Sequence, residues 1–331
     1  MSEKPDANIE DDIEDKLEKI PVLKHLIKFL KKIELPALEG LTLYYFLRLY
    51  GKGIIKGAVT SRASAIAFSF FTAIFPFLLF IIILIPYIPV VGFEYEFKGF
   101  LNSVLPPQTS DFFFENIFQN IYKGENGGLM STVFLLSIFL MANGISALFS
   151  GFESSYHQQL TRSVVKQYLY SLFVALILVL LLIITIAVIG YFQIYIIQRL
   201  LYYMDKQGYE TYEEGLFMAA IAKYIFFVFM VYIATATIYY FGTKEGKDSK
   251  FFSAGALLTT ILIIVFSYLF GIYVTYFSTY NELYGSIGAL LILLFYLWLI
   301  SNILLLGFEF NATIRRLKKY NDSKKRDQIL P

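Results

Sequence analysis

The chain has 331 residues, of which 57% are hydrophobic, 18% aromatic and only 16% charged, with a net charge of +2. A soluble domain carries about 25% charged residues, so the solvent for this much apolar surface is lipid. With no cysteine and only two histidines, His25 and His157, the chain excludes disulfide frameworks, thiolate metal sites, cysteine nucleophiles and histidine-rich metal hydrolases, and its near-neutral balance gives no global field for nucleic acid.

Residues 1–20 hold eight acids and no apolar run. They read as a charged, disordered tail and not as a secretory signal, which leaves the first span as an uncleaved signal-anchor. Residues 21–62 read as a cytoplasmic or interfacial amphipathic segment. Within it, VLKHLIKFLKKI (22–33) sets Leu23, Leu26, Ile27 and Leu30 on one helical face. Lys24, Lys28, Lys31 and Lys32 lie largely opposite. Such a helix lies on a membrane or packs as an ordinary cytoplasmic helix. His25, alone there, reads as structural.

Crossing a bilayer takes about 20 apolar residues. Six stretches of at least 20 residues contain no Asp, Glu, Lys or Arg: 63–93, 126–152, 167–198, 224–243, 251–281 and 283–308. Runs such as Leu176 to Ile186 do not alternate, so these are helices and not barrel strands. The fold class is therefore all-α, a polytopic membrane protein with six transmembrane helices. The spans fall near 65–88, 129–150, 169–197, 217–241, 252–277 and 285–309, within a membrane domain of 63–312. A basic tail, 313–331, follows. Of 28 Lys and Arg, 23 lie in the two termini and the second and fourth loops. That bias puts both termini in the cytoplasm.

The first outer loop contains a turn at Leu105-Pro106-Pro107 and the sequence FFFENIFQNIY (112–122), which reads as a short interfacial helix. The tyrosines at 202, 203, 209 and 212 read as an aromatic belt. No internal repeat is visible.

Breaks in the apolar pattern supply the candidate site. Pro76 removes the hydrogen bond to the Thr72 carbonyl four residues back, and Ser69 and Thr72 are the nearest hydroxyls able to compensate. Lys223 interrupts the fourth span, either snorkelling or paired with a carboxylate. Asn143 and Asn302 are intramembrane amides, which join helices or line solute paths. Glu153 and Glu309 sit at the inner ends of the second and sixth spans. For Glu309 an interfacial carboxylate is the plain reading, and burial makes it a functional candidate. Tyr284 and Gly285 open the sixth span, and Gly255 and Ala256 the fifth, where small residues permit close helix approach. One expectation joins two of these: Pro76 and Glu309 belong to one polar cavity open toward the cytoplasm, with Glu309 within reach of a group such as Asn143.

YGSIGALLILLFYLW (284–298) followed by LLLGFEFN (304–311) resembles the closing signature of the YihY/BrkB family of bacterial inner-membrane proteins, often labelled ribonuclease BN-like. ASAIAFSFFTAIFPFLL and NGISALFSGFESSYH, the latter ahead of TRSVVKQYLYSL, extend the resemblance over about 45–315. Phe68 departs from a position where tyrosine is common, and Ser267-Tyr268 interrupts a usually plainer run. The resemblance implies a six-helix protein of the bacterial cytoplasmic membrane with both termini inside. It implies no secure activity. The ribonuclease label fits the residues poorly: Glu153 and His157 lie close in sequence, with no second histidine and no metal-ligand cluster. The expectation is therefore a protein that is not an enzyme, without cofactor or metal. Its partners are membrane lipids and not nucleic acid, and its oligomeric state is open. The leading function is transport or flipping of a lipid or small solute. A non-transporting scaffold or regulator of the cell envelope is the alternative, and a membrane enzyme stands third.

Overall fold

The computed structural model describes residues 21–33, 42–85, 88, 93–104, 127–155, 162–192, 213–243, 250–276 and 286–329. Among these residues the regular structure is helical: α1 (Pro21–Lys32), α2 (Leu43–Lys56), α3 (Val59–Leu84), α4 (Phe93–Val104), α5 (Gly127–Glu153), α6 (Val164–Tyr191), α7 (Glu213–Gly242), α8 (Ala254–Tyr276) and α9 (Ser286–Ile329). Six helices are long and apolar enough to cross a membrane, within α3 and α5 to α9, one for each charge-free stretch. In lipid every backbone amide needs a partner inside its own segment, so a long apolar run folds as a helix whatever its neighbours.

The ends differ from the sequence reading in three places. The first spanning helix starts at Val59, because Ala58 takes a left-handed conformation (φ 46°) that separates it from α2; Arg62 does not interrupt it. The sixth does not stop near 309 but continues as one helix to Ile329, since Arg and Lys favour helix as well as Leu does. The loop after the first span contains α4 (Phe93–Val104), for which the sequence reading drew no helix. Its Phe93 and Phe97 are buried, and Glu96 lies against Gly190 of α6. The expected helix at 112–122, the tail 1–20 and the tyrosine cluster 202–212 lie outside the described residues.

The chain divides into two compact units, 1–57 with 309–331 and 58–308. The sequence reading drew its divisions at 62/63 and 312/313.

In the unit 58–308, α3 packs most extensively on α5. Glycines allow this. A Cβ on Gly144 would stand 2.9 Å from that of Ala73, and one on Gly151 2.7 Å from Ile66 Cδ1. The two contacts run in opposite chain directions, so the pair is antiparallel. Further along, α5 meets α6 where Gln167 Nε2 donates to Ser150 Oγ (2.7 Å) and Ser146 O (3.2 Å). Then α6 meets α7 at Phe173 and Phe241, and α7 meets α8 through the hydroxyls of Thr235 and Thr260 (3.1 Å). Ser253 caps α8, its Oγ accepting from Ala256 N–H (3.3 Å). Finally α8 meets α9 through Ser267 and Tyr296 (2.8 Å).

The unit 1–57 with 309–331 is built from α1, α2 and the end of α9. Leu43 N–H donates to Ile33 O (2.8 Å), tying α2 to the end of α1. Phe46 packs edge-on to Phe310 (4.9 Å between centroids), and Leu317, Leu43 and Ile314 complete an apolar cluster.

Candidate functional site

A cavity of about 170 Å³ lies against the proline-bearing stretch of α3. Its lining includes Phe70, Ala73 and Phe77 of α3, Gly144 of α5, Leu178 of α6 and Leu297 of α9. Pro76 is buried beside it, and α3 runs through the proline as one helix. The lining is apolar, contrary to the polar cavity expected here. The physical reason is that the nearby hydroxyls turn back on their own helix. Ser69 Oγ donates to Ala65 O (3.0 Å) and Thr72 Oγ1 to Ser69 O (3.0 Å). A Ser or Thr in a helix reaches carbonyls three or four residues back, so Thr72 cannot bond its own carbonyl, the one that the proline leaves free.

The other candidates scatter. Asn143 is exposed on α5. Asn302 Nδ2 donates to Trp298 O (2.8 Å) within α9. Lys223 is half-buried on α7. Glu153 is buried in the last turn of α5. Tyr284 and Gly285 lie outside the described residues, as does His157.

Glu309 is completely buried, so the interfacial reading gives way to a buried carboxylate. It belongs to the unit of α1 and α2, where its neighbour is a phenol. Burial first, and then the charge of Glu309, push Tyr50 from its ordinary value of 10.0 up to about 12.

Three features escaped the sequence reading. Arg62 reaches across to α5, Nη1 donating to Gly151 O at 2.6 Å. Arg162 donates to Phe241 O (2.7 Å) and lies 4.4 Å from the Tyr170 ring centroid. Tyr239 Oη donates to Leu304 O (2.7 Å) and hydrogen-bonds Thr259 Oγ1 (2.5 Å), joining α7, α8 and α9. The available signals were arginines at the ends of apolar runs and a tyrosine within one, but sequence does not say which runs meet.

The third observation concerns what each helix shows to the lipid. Beyond Lys166 in its first turn, α6 exposes large apolar residues: Leu169, Phe173, Leu176, Leu180, Ile184 and Val188. The exposed residues of α8 include Leu257, Ile261, Val265 and Leu269, with Tyr268 and Tyr273. On α3 the exposed line contains Ser61, Ala65, Phe68 and Thr72, and on α5 it contains Asn143 and Ser150 together with Leu136 and Phe139, with Ser154 just past the helix end. Helical periodicity sets each line about 100° round from the α3–α5 contact. Because the two helices are antiparallel, both lines fall on the same flank. The contact of Ala73 with Gly144 puts Asn143 near the level of Thr72. This flank carries small polar side chains interleaved with Phe68, Leu136 and Phe139. Ser150 Oγ donates to Ser146 O (3.0 Å) and Ser154 Oγ to Ser150 O (2.8 Å). Each of these hydroxyls thus spends its proton on its own chain segment, and Ser150 also accepts from Gln167 Nε2, which leaves it one lone pair.

Among the described residues no three His, Asp or Glu side chains come together as a metal-binding group.

Comparison with known proteins places these features. The chain is 25% identical over 264 residues to the putative ribonuclease-like protein YfkH of Bacillus subtilis, covering 79% of this chain and 92% of that one. It is 38% identical over 60 residues to a UPF0761 membrane protein of Tolumonas auensis, 18% of this chain and 20% of the other. No solved structure matches. The family model described as Virulence factor BrkB matches residues 52–329, a stretch that takes in all six spanning helices. The chain is an integral membrane protein and belongs to the BrkB family.

Proposed function

We propose that this protein carries lipid molecules between the two leaflets of its membrane, the headgroup passing along the α3–α5 flank while the acyl chains stay in the surrounding lipid. The observation that carries this reading is the contrast among exposed faces. Large apolar side chains dominate the exposed faces of α6 and α8, whereas α3 and α5 present Ser61, Thr72, Asn143 and Ser150 among Phe68, Leu136 and Phe139. A polar headgroup crossing bare hydrocarbon loses its hydrogen bonds. A strip of hydroxyl acceptors and one amide returns part of them at several weak, successive positions, which suits passage better than one strong site. The same contrast narrows the substrate from a lipid or small solute to a lipid. The cavity by Pro76 is apolar and about 170 Å³, against roughly 300–1,000 Å³ for ordinary ligand pockets. Residence in the bacterial cytoplasmic membrane with both termini inside is part of the proposal.

The test is reconstitution of the purified protein in liposomes bearing a fluorescent phospholipid in both leaflets, followed by chemical quenching from outside. Protein-free vesicles lose about half the signal; working protein should take the loss well beyond half. Thr72→Leu combined with Asn143→Leu should abolish the excess without lowering the melting temperature. A wild-type trace identical to empty vesicles would sink the proposal.

The scaffold reading keeps one specific support. Small residues on an exposed membrane face also admit a second helix at close range. If the flank docks a helix, cysteines placed at Ala65 and Asn143 will cross-link to a protein partner in native membranes, and the liposome assay will be silent.

A further inference from the structure

The unit formed by α1, α2 and the end of α9 has a charge pattern that the lipid-carrying reading does not use. Its described segments, 21–33, 42–57 and 309–329, contain four, three and seven Lys and Arg, fourteen in all. Against these stand three acids, Glu309, Asp322 and Asp327, and Glu309 is completely buried. The cations are at the surface. Lys28, Lys31 and Lys32 of α1, Lys56 of α2, and Arg316, Lys318 and Lys319 of α9 are all exposed. Large apolar side chains are exposed among them: Phe29 (61%) between Lys28 and Lys31, and Ile55 (81%) next to Lys56, with Tyr45 and Leu47 further back on α2. In a water-facing surface such residues are a liability. In a surface that settles on lipid they are the part that inserts.

We propose that this unit is a docking surface for anionic lipid headgroups. The lysines and arginines contact the phosphate layer while Phe29 and Ile55 enter the acyl boundary. Chain continuity puts a membrane within reach: Ile55 is four residues from the start of α3, and Arg316 to Lys319 lie on the helix that forms the sixth span. Charge complementarity selects the lipid. A surface whose one described non-tail acid is buried gains from every phosphate it meets, and gains little from a zwitterionic bilayer. Attraction of this kind decays within a Debye length of about 8 Å at physiological salt, so it holds only for side chains at the surface.

Because the chain has no cysteine, a single environment-sensitive dye can be placed at Phe29→Cys or at Ile55→Cys in the full-length protein. The labelled chains are reconstituted in neutral phosphatidylcholine vesicles and in vesicles with about one-third phosphatidylglycerol. The expected result is at least a two-fold rise in emission with a blue shift in the anionic vesicles. High salt should reverse it, and Lys28→Gln, Lys31→Gln and Lys32→Gln together should reduce it at position 29. Equal emission in both vesicles, or a signal indifferent to salt, overturns the proposal. A second arm uses the full-length chain with its eight acids in 1–20 neutralised. If lipid dependence appears only there, the acidic tail covers this surface and the proposal fails. Neither outcome depends on whether lipids are carried between leaflets.

Discussion

Gly307 is the residue whose smallness matters most in the bundle. A Cβ there would run into Thr259 Oγ1, stand 2.6 Å from Tyr239 Oη and 2.9 Å from Gly255 O. The last of these is backbone and cannot swing away. Gly307→Ala should therefore destabilise the protein by about 1–3 kcal/mol, read as a lower melting temperature in detergent. An unchanged melting temperature would mean that α8 and α9 do not meet there. Tyr50 makes a pH prediction. Its folded pKa, about 12, is raised above the ordinary 10.0, so the folded state favours the neutral phenol. The associated stability is fully present below pH 10 and is lost as pH rises from about 10 to 12. Tyr50→Phe should lose less stability than wild type between pH 9.5 and 11.5 by thermal denaturation. Equal losses would remove Tyr50 as the cause. The phenol is not fully enclosed, and no large magnitude is expected.

The helices themselves carry the topological prediction. Six crossings would place both termini on one side, and the Lys and Arg bias predicts that this side is the cytoplasm. Reporter fusions after Lys123 and after Gln207 should read external, and fusions after Lys247 and after Lys325 cytoplasmic. One reversed reading would break either the span count or the orientation. At this scale α3 and α5 differ from the rest. They pack on each other through Ala73 with Gly144 and Ile66 with Gly151, and they leave Ser61, Ser64 and Ser150 exposed while Ser137 is buried. Elsewhere in the bundle polar groups are used between helices, as Thr235 with Thr260 shows. On that flank Ser150 is the residue used between helices, since it accepts from Gln167 of α6, whereas Thr72 bonds within α3.

For the molecule as a whole, the relative named ribonuclease-like shares 25% identity, and the composition offers little for phosphodiester hydrolysis. With two histidines in 331 residues a three-histidine metal centre is excluded, and Glu153 is buried at a helix end. Purified protein, freed of soluble nucleases, should leave RNA intact with magnesium, manganese or zinc added. Metal-dependent cleavage that disappears in Glu153→Gln would overturn this. The same protein in liposomes decides the lipid-carrying reading, so one preparation serves both assays.

The sequence alone determined that there are six apolar helices of spanning length and that an amphipathic helix precedes them. These are local properties. Hydrocarbon offers a backbone no partner, so any charge-free run of sufficient length must close its hydrogen bonds within itself, and the alternation of Leu and Lys in 22–33 declares a helix with two unlike faces. Which side of each span meets protein and which meets lipid was decided only by the tertiary structure. Lipid tails are as apolar as leucine, so a spanning helix need not differ from one face to the other, and the periodicity that marks a buried face in water is missing. Hence Glu309, which could be read as interfacial, is completely buried, while Asn143, which could be read as lining a path inside the bundle, faces outward. Hence too the space beside Pro76 is apolar: whether Ser69 and Thr72 serve a cavity or their own helix depends on the direction in which α3 is turned, and its packing on Gly144 and Gly151 of α5 sets that direction.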